Sequence, residues 1–265
     1  MTDAPERHQP VLFVSHGSPL SALGGDELSG IWEKLATRLS RPQAIVVVSA
    51  HWESTLPLLG GDPWPETVHD FGGFPAALYR LGYPAPGGPA LAQRLRERLV
   101  AAGFPAGLDG SRGLDHGAWV PLRALFPAAD IPVVPLAVQP ALGARHHYAL
   151  GAALAGLGKE NILVLASGHL THNLGEFFHG RGGGPTPAAQ SFREWVHRAI
   201  LAGEDERLLA WEGAPGARQA HPSAEHFMPL FVALGASGPG RQVEALGGGW
   251  VGGALAADNY LFTAG

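Results

Sequence analysis

The feature that most limits how this chain can fold is a set of short, β-branched apolar runs that stop at histidine. Val11-Leu-Phe-Val-Ser-His16, Ile45-Val-Val-Val-Ser-Ala-His51 and Ile162-Leu-Val-Leu-Ala-Ser-Gly-His-Leu-Thr-His172 share this form. The runs are nearly continuous rather than alternating, which suits strands covered on both faces. A further histidine, His226 in His221-Pro-Ser-Ala-Glu-His226, stands just before an apolar helical stretch. In an open α/β sheet the carboxyl ends of the strands open onto a common crevice, where ligands bind. Imidazoles delivered there from distant parts of the chain converge on one point, and neutral imidazole is the commonest protein metal ligand. The pattern therefore points to a mononuclear metal site.

Strands are expected near 11–15, 44–50, 131–138 and 161–167, with a weaker one around 241–246. Helical spacing of apolar residues marks 27–39, 89–102, 118–126, 143–157, 188–201 and 225–235. Leu91-Ala-Gln-Arg-Leu-Arg-Glu-Arg-Leu-Val100 shows it well, with charges opposite the apolar stripe and Gly103 just beyond. Strand–helix alternation predicts an α/β fold with a mainly parallel central sheet and helices on both faces. The last segment, Ala257 to Phe262, is expected as an edge strand. With 265 residues, 46% of them hydrophobic, and no linker, repeat or charge block, one catalytic domain over 1–265 is the reading, residues 1–9 forming a flexible tail. Gly180-Arg-Gly-Gly-Gly-Pro-Thr-Pro187 reads as a mobile surface loop or a lid.

Composition closes off several functions. A net charge of -5 and a pI of about 6.2 leave no electrostatic footprint for nucleic acid. No apolar stretch approaches the ~18 residues of a membrane span. The first ten residues lack the apolar core of a signal peptide, so a cytoplasmic protein without membrane partners is expected. Zero cysteines exclude a disulfide framework, a thiolate metal site and a cysteine nucleophile. No Gly-x-Ser-x-Gly elbow, His-Glu-x-x-His helix or P-loop is present. Acidic residues near the strand ends are too few for a two-metal carboxylate centre. A homo-oligomer stays open.

Of the 13 histidines, His8, His146, His147, His179 and His197 fall in tails, helix faces or a loop and read as structural. His69, before Asp70-Phe-Gly-Gly-Phe-Pro75, reads equally as pocket lining or plain loop. His16 is followed by Gly17, which lets the backbone approach a ligand closely. His16 and His51 together favour a metal over two unrelated capping residues. Spacing does not choose between His169 and His172. His226 either opens a helix capped by Ser223 or points into the crevice, and the two are compatible. His116, in Leu114-Asp-His-Gly-Ala-Trp-Val-Pro121, opens another helix and suits a place behind the ligands or against the substrate.

Several of these segments recur in a known family in the same order. They are Ser15-His-Gly-Ser-Pro19, Ser49-Ala-His-Trp52, Asp70-Phe-Gly-Gly-Phe-Pro75 and Tyr83-Pro-Ala-Pro-Gly87, followed by Leu114-Asp-His-Gly-Ala-Trp119, Ser167-Gly-x-x-x-His-Asn-Leu174 and His221-Pro-x-x-Glu-His226. Across nearly its whole length the chain resembles the class III extradiol ring-cleavage dioxygenases, most closely their DOPA-4,5-dioxygenase-like branch. The resemblance implies a single α/β domain with one divalent non-haem metal, Fe(II) for activity or Zn(II) as isolated. His16 and His51 would be the first two ligands and His226 the third. Glu225 is the alternative third ligand, because protocatechuate-cleaving relatives use a glutamate. The family histidine precedes asparagine, which selects His172, and His169 is a departure from the family pattern. His116 and His221 would stand behind the ligands or orient the substrate, His116 also being a catalytic candidate; Ser18 is a further expected substrate contact.

On that resemblance the expected reaction is oxidative cleavage of a catechol ring by dioxygen. His172 is expected to act as general base, with an ordinary imidazole pKa near 6.5. With zinc bound, His172 is the candidate fourth ligand. Two rival readings keep the site: a metal-binding scaffold without oxygenase chemistry, and a zinc-dependent hydrolase of small amides.

Overall fold

Alternate residues of the central strands feed two separate cores, and this sorts the helices into layers. The computed structural model describes residues 8–179 and 184–263. The expected tail falls largely on residues 1–7, outside the described residues, as does the 180–183 part of the expected loop. Among the described residues ten strands follow in chain order: β1 (Val11–Ser15), β2 (Ala44–Glu53), β3 (Leu58–Gly60), β4 (Gly107–Asp109) and β5 (Val133–Val138), then β6 (Ile162–Gly168), β7 (Gln242–Gly247), β8 (Trp250–Val251), β9 (Leu255–Ala256) and β10 (Asn259–Thr263). Eight of them form one sheet in the order β4-β3-β5-β2-β6-β1-β10-β7. The central strands β5, β2, β6 and β1 are mutually parallel, as expected.

The helices are α1 (Glu27–Ala36), α2 (Pro89–Ala101), α3 (His116–Leu125), α4 (Gly143–Ala153) and α5 (Leu174–His179), then α6 (Pro187–Ala202), α7 (Asp205–Leu209), α8 (Ala217–Ala220) and α9 (Met228–Ser237). Phe13, Val46, Val134 and Val164 pack on one face with residues of α2, α4, α6 and α9. Their neighbours Leu12, Ile45, Val133 and Leu163 pack on the other with Trp32 of α1 and Trp119 of α3. Period-two side chains with both faces buried explain the unbroken apolar runs.

Two expectations need correction. β10 is not an edge strand: it lies between β1 and β7, antiparallel to both. Tyr260 and Phe262 are fully buried in the first core, so this strand needs neighbours on either side, and the exposed β7 takes the edge. The helix expected over 225–235 begins at Met228, and Ser223 does not cap it. The Ser223 hydroxyl goes instead to the Glu225 carboxylate at 2.9 Å, and His226 stays in the turn before the helix. The two- and three-residue strands β3, β4, β8 and β9 carry too little pattern to be read from sequence.

Candidate metal centre

Five histidines come from five elements at the carboxyl end of the sheet. His16 follows β1, His51 lies in β2, His116 opens α3, His172 follows β6, and His226 precedes α9. Backbone hydrogen bonds tie these segments together. His16 N–H donates to Gly168 O (3.2 Å), His169 N–H to His226 O (2.8 Å), and His172 N–H to Ala220 O (2.8 Å). Two glycines make the approach feasible. A Cβ on Gly168 would sit 2.2 Å from His226 O, and one on Gly117 would sit 2.4 Å from Ser49 Oγ and 3.0 Å from a carbon of the His51 ring.

The ring nitrogens of the cluster face one another. His51 Nε2 lies 3.1 Å from His16 Nε2 and 3.3 Å from His226 Nε2. The Nδ1 atoms are engaged elsewhere. Ser167 gives its hydroxyl proton to Gly117 O at 2.5 Å, so its oxygen accepts the His16 Nδ1–H at 3.0 Å. His226 Nδ1–H donates to Glu225 (2.9 Å) and His116 Nδ1–H to Asp70 (2.9 Å). The other Asp70 oxygen stands 3.5 Å from His51 Nδ1. Carboxylate or hydroxyl partners on Nδ1 leave the lone pairs on Nε2, the arrangement in which imidazoles bind metals.

The spacing of His51 from His16 and from His226 suits a shared divalent ion. Metal–nitrogen bonds of about 2.1 Å place neighbouring nitrogens about 3.0 Å apart at a right angle and about 3.4 Å apart in a tetrahedron. Both observed Nε2 separations fall within that interval. Ligand atoms of His16, His51 and His116 all lie within 4.8 Å of one another, as do those of His172, Glu225 and His226.

Charge follows the same plan. Burial, reinforced by neighbouring imidazoles, pushes His16 and His226 well below the usual histidine range. Burial, then the charge of His116, lowers His51 to about 4. Burial alone would raise Asp70, but hydrogen bonds and charge from His116 override it and hold the carboxyl down to about 2. Neutral rings backed by an anion suit a cation.

A second carboxylate braces this assembly from beneath. Asp115 caps α3 by accepting Ala118 N–H, and it accepts the Ser49 hydroxyl at 2.6 Å. It also pairs with Arg112 at 2.5 Å, and Arg112 reaches the His51 carbonyl at 3.3 Å.

The remaining site residues expected from sequence divide. His172 stacks on His226, with ring centroids 3.4 Å apart and planes 7° apart. Burial, then His169, lowers its pKa to about 2, so the ordinary value expected of it is not retained. His169 accepts Gly17 N–H on Nε2 (3.2 Å) and turns Nδ1 to Ala256 O (3.4 Å), which secures the turn carrying His16. His221 donates Nε2–H to Leu170 O (2.8 Å) and lies among Phe192, Trp211 and Phe227. Ser18 caps the 3-10 turn Pro19–Leu23 through Leu20 N–H. Neither His221 nor Ser18 makes a hydrogen bond or ring contact with the five histidines. Sequence reasoning missed Asp70, Ser167, Ser49 and Asp115 as partners. All four stand in quoted motifs, but nothing in the spacing shows which partner each one serves.

Residues 8–263 match the family described as the catalytic LigB subunit of aromatic ring-opening dioxygenase. The chain belongs to that family, and the class defined by fold and site is that of the aromatic ring-opening dioxygenases. Among individual proteins, it is 41% identical over 261 residues to a 4,5-DOPA dioxygenase extradiol from Beta vulgaris, covering 95% of each chain. It is 44% identical over 232 residues to the Escherichia coli (strain K12) protein of the same description, covering 86% of this chain and 84% of that one. A crystal structure of an uncharacterized Escherichia coli K12 protein superposes with a TM-score of 0.82 at 35% identity, covering 97% of this chain and all of the other (100%). Among the described residues no helix is long and apolar enough to cross a membrane.

Proposed function

We propose that this enzyme opens the ring of DOPA-like catechols by extradiol cleavage, at one Fe(II) ion held by His16, His51 and His226. The observation that carries the reading is His51 Nε2 standing 3.1 Å from His16 Nε2 and 3.3 Å from His226 Nε2. The similarity to 4,5-DOPA dioxygenases supports the substrate class. Glu225 is the weaker third ligand, because its carboxylate faces His226 Nδ1 and the Ser223 hydroxyl.

Fe(II) held by His16, His51 and His226 would supply the redox chemistry that lets dioxygen react with a catecholate. The protein's own groups prepare the substrate. Neutral His172 is in the form that accepts a proton, and it takes one from a catechol hydroxyl. An anionic catecholate alongside then favours the imidazolium until the proton returns to product. His116, pinned by Asp70 through its side chain and its backbone N–H (both 2.9 Å), offers Nε2 to the second hydroxyl. Both atoms of dioxygen enter the product, a ring-opened hydroxymuconic semialdehyde. The parallel stack of His172 on His226 supports a free base rather than a fourth ligand, including with Zn(II) bound.

The test is oxygen uptake after anaerobic loading with Fe(II), offering DOPA, protocatechuate and simple catechols, with Zn(II)-loaded protein as control. Iron-dependent uptake with a yellow product is expected. No uptake with stoichiometric metal bound would move the assignment to a non-oxygenase scaffold or, with anaerobic amide cleavage, to a zinc hydrolase.

A further inference from the structure

The Asp70–Pro75 motif does more than supply one carboxylate. Phe71 stands perpendicular to His116, with ring centroids 5.8 Å apart at 87°. Phe74 and Tyr79 each lie 5.3 Å from Phe71, and Trp119 lies 6.4 Å away behind it. Exposure rises along this row. Trp119 is fully buried and His116 7% exposed, Phe71 and Phe74 are half-buried, and Tyr79 is 40% exposed. An aromatic surface thus runs outward from the histidine cluster. The wall is fixed relative to the centre, because Asp70, one residue before Phe71, is held by two hydrogen bonds from His116. Its outer end is closed by Phe74 N–H donating to the Tyr79 hydroxyl at 3.4 Å.

We infer that this wall is the ring-recognition surface of the substrate pocket, and that Phe71 is the residue that grips the catechol. The inference rests on the catechol reading above. Aromatic rings prefer edge-to-face or offset contacts, and Phe71 presents its ring beside the histidine that meets the substrate hydroxyl. A ring seated there sends its 4-substituent outward along Phe74 and Tyr79. The pocket therefore selects 4-substituted catechols by aromatic contact near the metal and by a solvent-facing exit for the substituent. Phe71 is a specificity residue and moves no proton.

The experiment is anaerobic titration of metal-loaded enzyme with 4-nitrocatechol, followed by the visible absorbance change, for the wild type, Phe71→Leu and Phe71→Tyr. Metal content is measured on each sample. Phe71→Leu should weaken nitrocatechol binding about three- to tenfold, the worth of one aromatic pair, while Phe71→Tyr keeps it within about twofold. In steady state the Phe71→Leu loss should fall on KM for DOPA, with kcat nearly kept. Equal binding by the wild type and Phe71→Leu overturns the inference, as does loss of metal from Phe71→Leu, which would make Phe71 a prop for His116. If the wild type binds no nitrocatechol and consumes no oxygen, the catechol reading itself has failed.

Discussion

His51 and His147 are both largely buried near the carboxyl end of a sheet strand, yet their nitrogens are used in opposite ways. His147, in α4 beside the end of β5, donates Nδ1–H to Gly143 O (2.7 Å) and accepts Gln139 N–H on Nε2 (3.0 Å). Its neighbour His146 donates Nε2–H to the Gln139 side-chain oxygen at 2.9 Å. Every lone pair on His147 is matched. His51 instead turns Nε2 toward two other Nε2 atoms, with Asp70 behind it. Burial and a strand-end position are therefore common to a structural histidine and a candidate metal ligand. What separates them is an excess of acceptors over donors, which a cation relieves.

The sharpest way to break this contrast is to exchange the two fates. His16→Ala or His51→Ala should abolish stoichiometric metal after dialysis and all oxygen uptake, whereas His147→Leu should retain both. Metal lost from His147→Leu before His51→Ala would refute the distinction. Next in size, His172→Ala should keep the metal and lose about 10²- to 10⁴-fold in turnover, the usual worth of a general base. Normal catechol cleavage by that variant would remove His172 from the mechanism.

Asp70→Asn probes the backing of the open rings. Outer partners of metal-bound histidines are worth about 10- to 100-fold in metal affinity or activity, and this loss should appear in chelator competition. On the closed side, His147→Leu strands the Gln139 N–H and the Gly143 carbonyl. That should cost about 1–3 kcal/mol and lower Tm by several degrees without moving KM.

The smallest effect is a pH dependence. Burial lowers His147 and His51 to about 4 in the folded chain, against an unfolded value of about 6.5. The unfolded chain therefore binds more protons between those values. The stability these neutral rings contribute is fully present above pH ~6.5 and lost as pH falls through ~4. Tm of metal-free protein should decline across that window, and His147→Leu should flatten the decline slightly. An unchanged slope would mean that His147 is not held neutral by burial.

Much of the centre was legible in the residues because chain direction and apolar runs already place side chains at strand ends. His16, His51 and His172 each follow a run whose β-branched residues build the sheet. His226 was preferred with Glu225 kept as the alternative, because the two are adjacent and only the resemblance, in which some relatives use a glutamate, separated them. His221 shows what the motif leaves open. It shares a motif with His226, yet the chain turns its ring into an aromatic core formed by α6 and the segments around Trp211 and Phe227. The end of the chain misled, since an apolar strand looks the same at an edge or one place in from it.

The sequence by itself determined that parallel strands buried on two faces would carry imidazoles to one end of a sheet. It also excluded thiolate ligands, and its ordered motifs pointed to the family. The tertiary structure alone decided which nitrogen of each ring faces the centre. That choice belongs to the partner on the other nitrogen, and the partners come from far along the chain. His16 takes its partner from Ser167, 151 residues away, and His116 from Asp70, 46 residues away. A hydrogen bond to Nδ1 sets the tautomer, and no local pattern of residues encodes a contact made only when the sheet has closed.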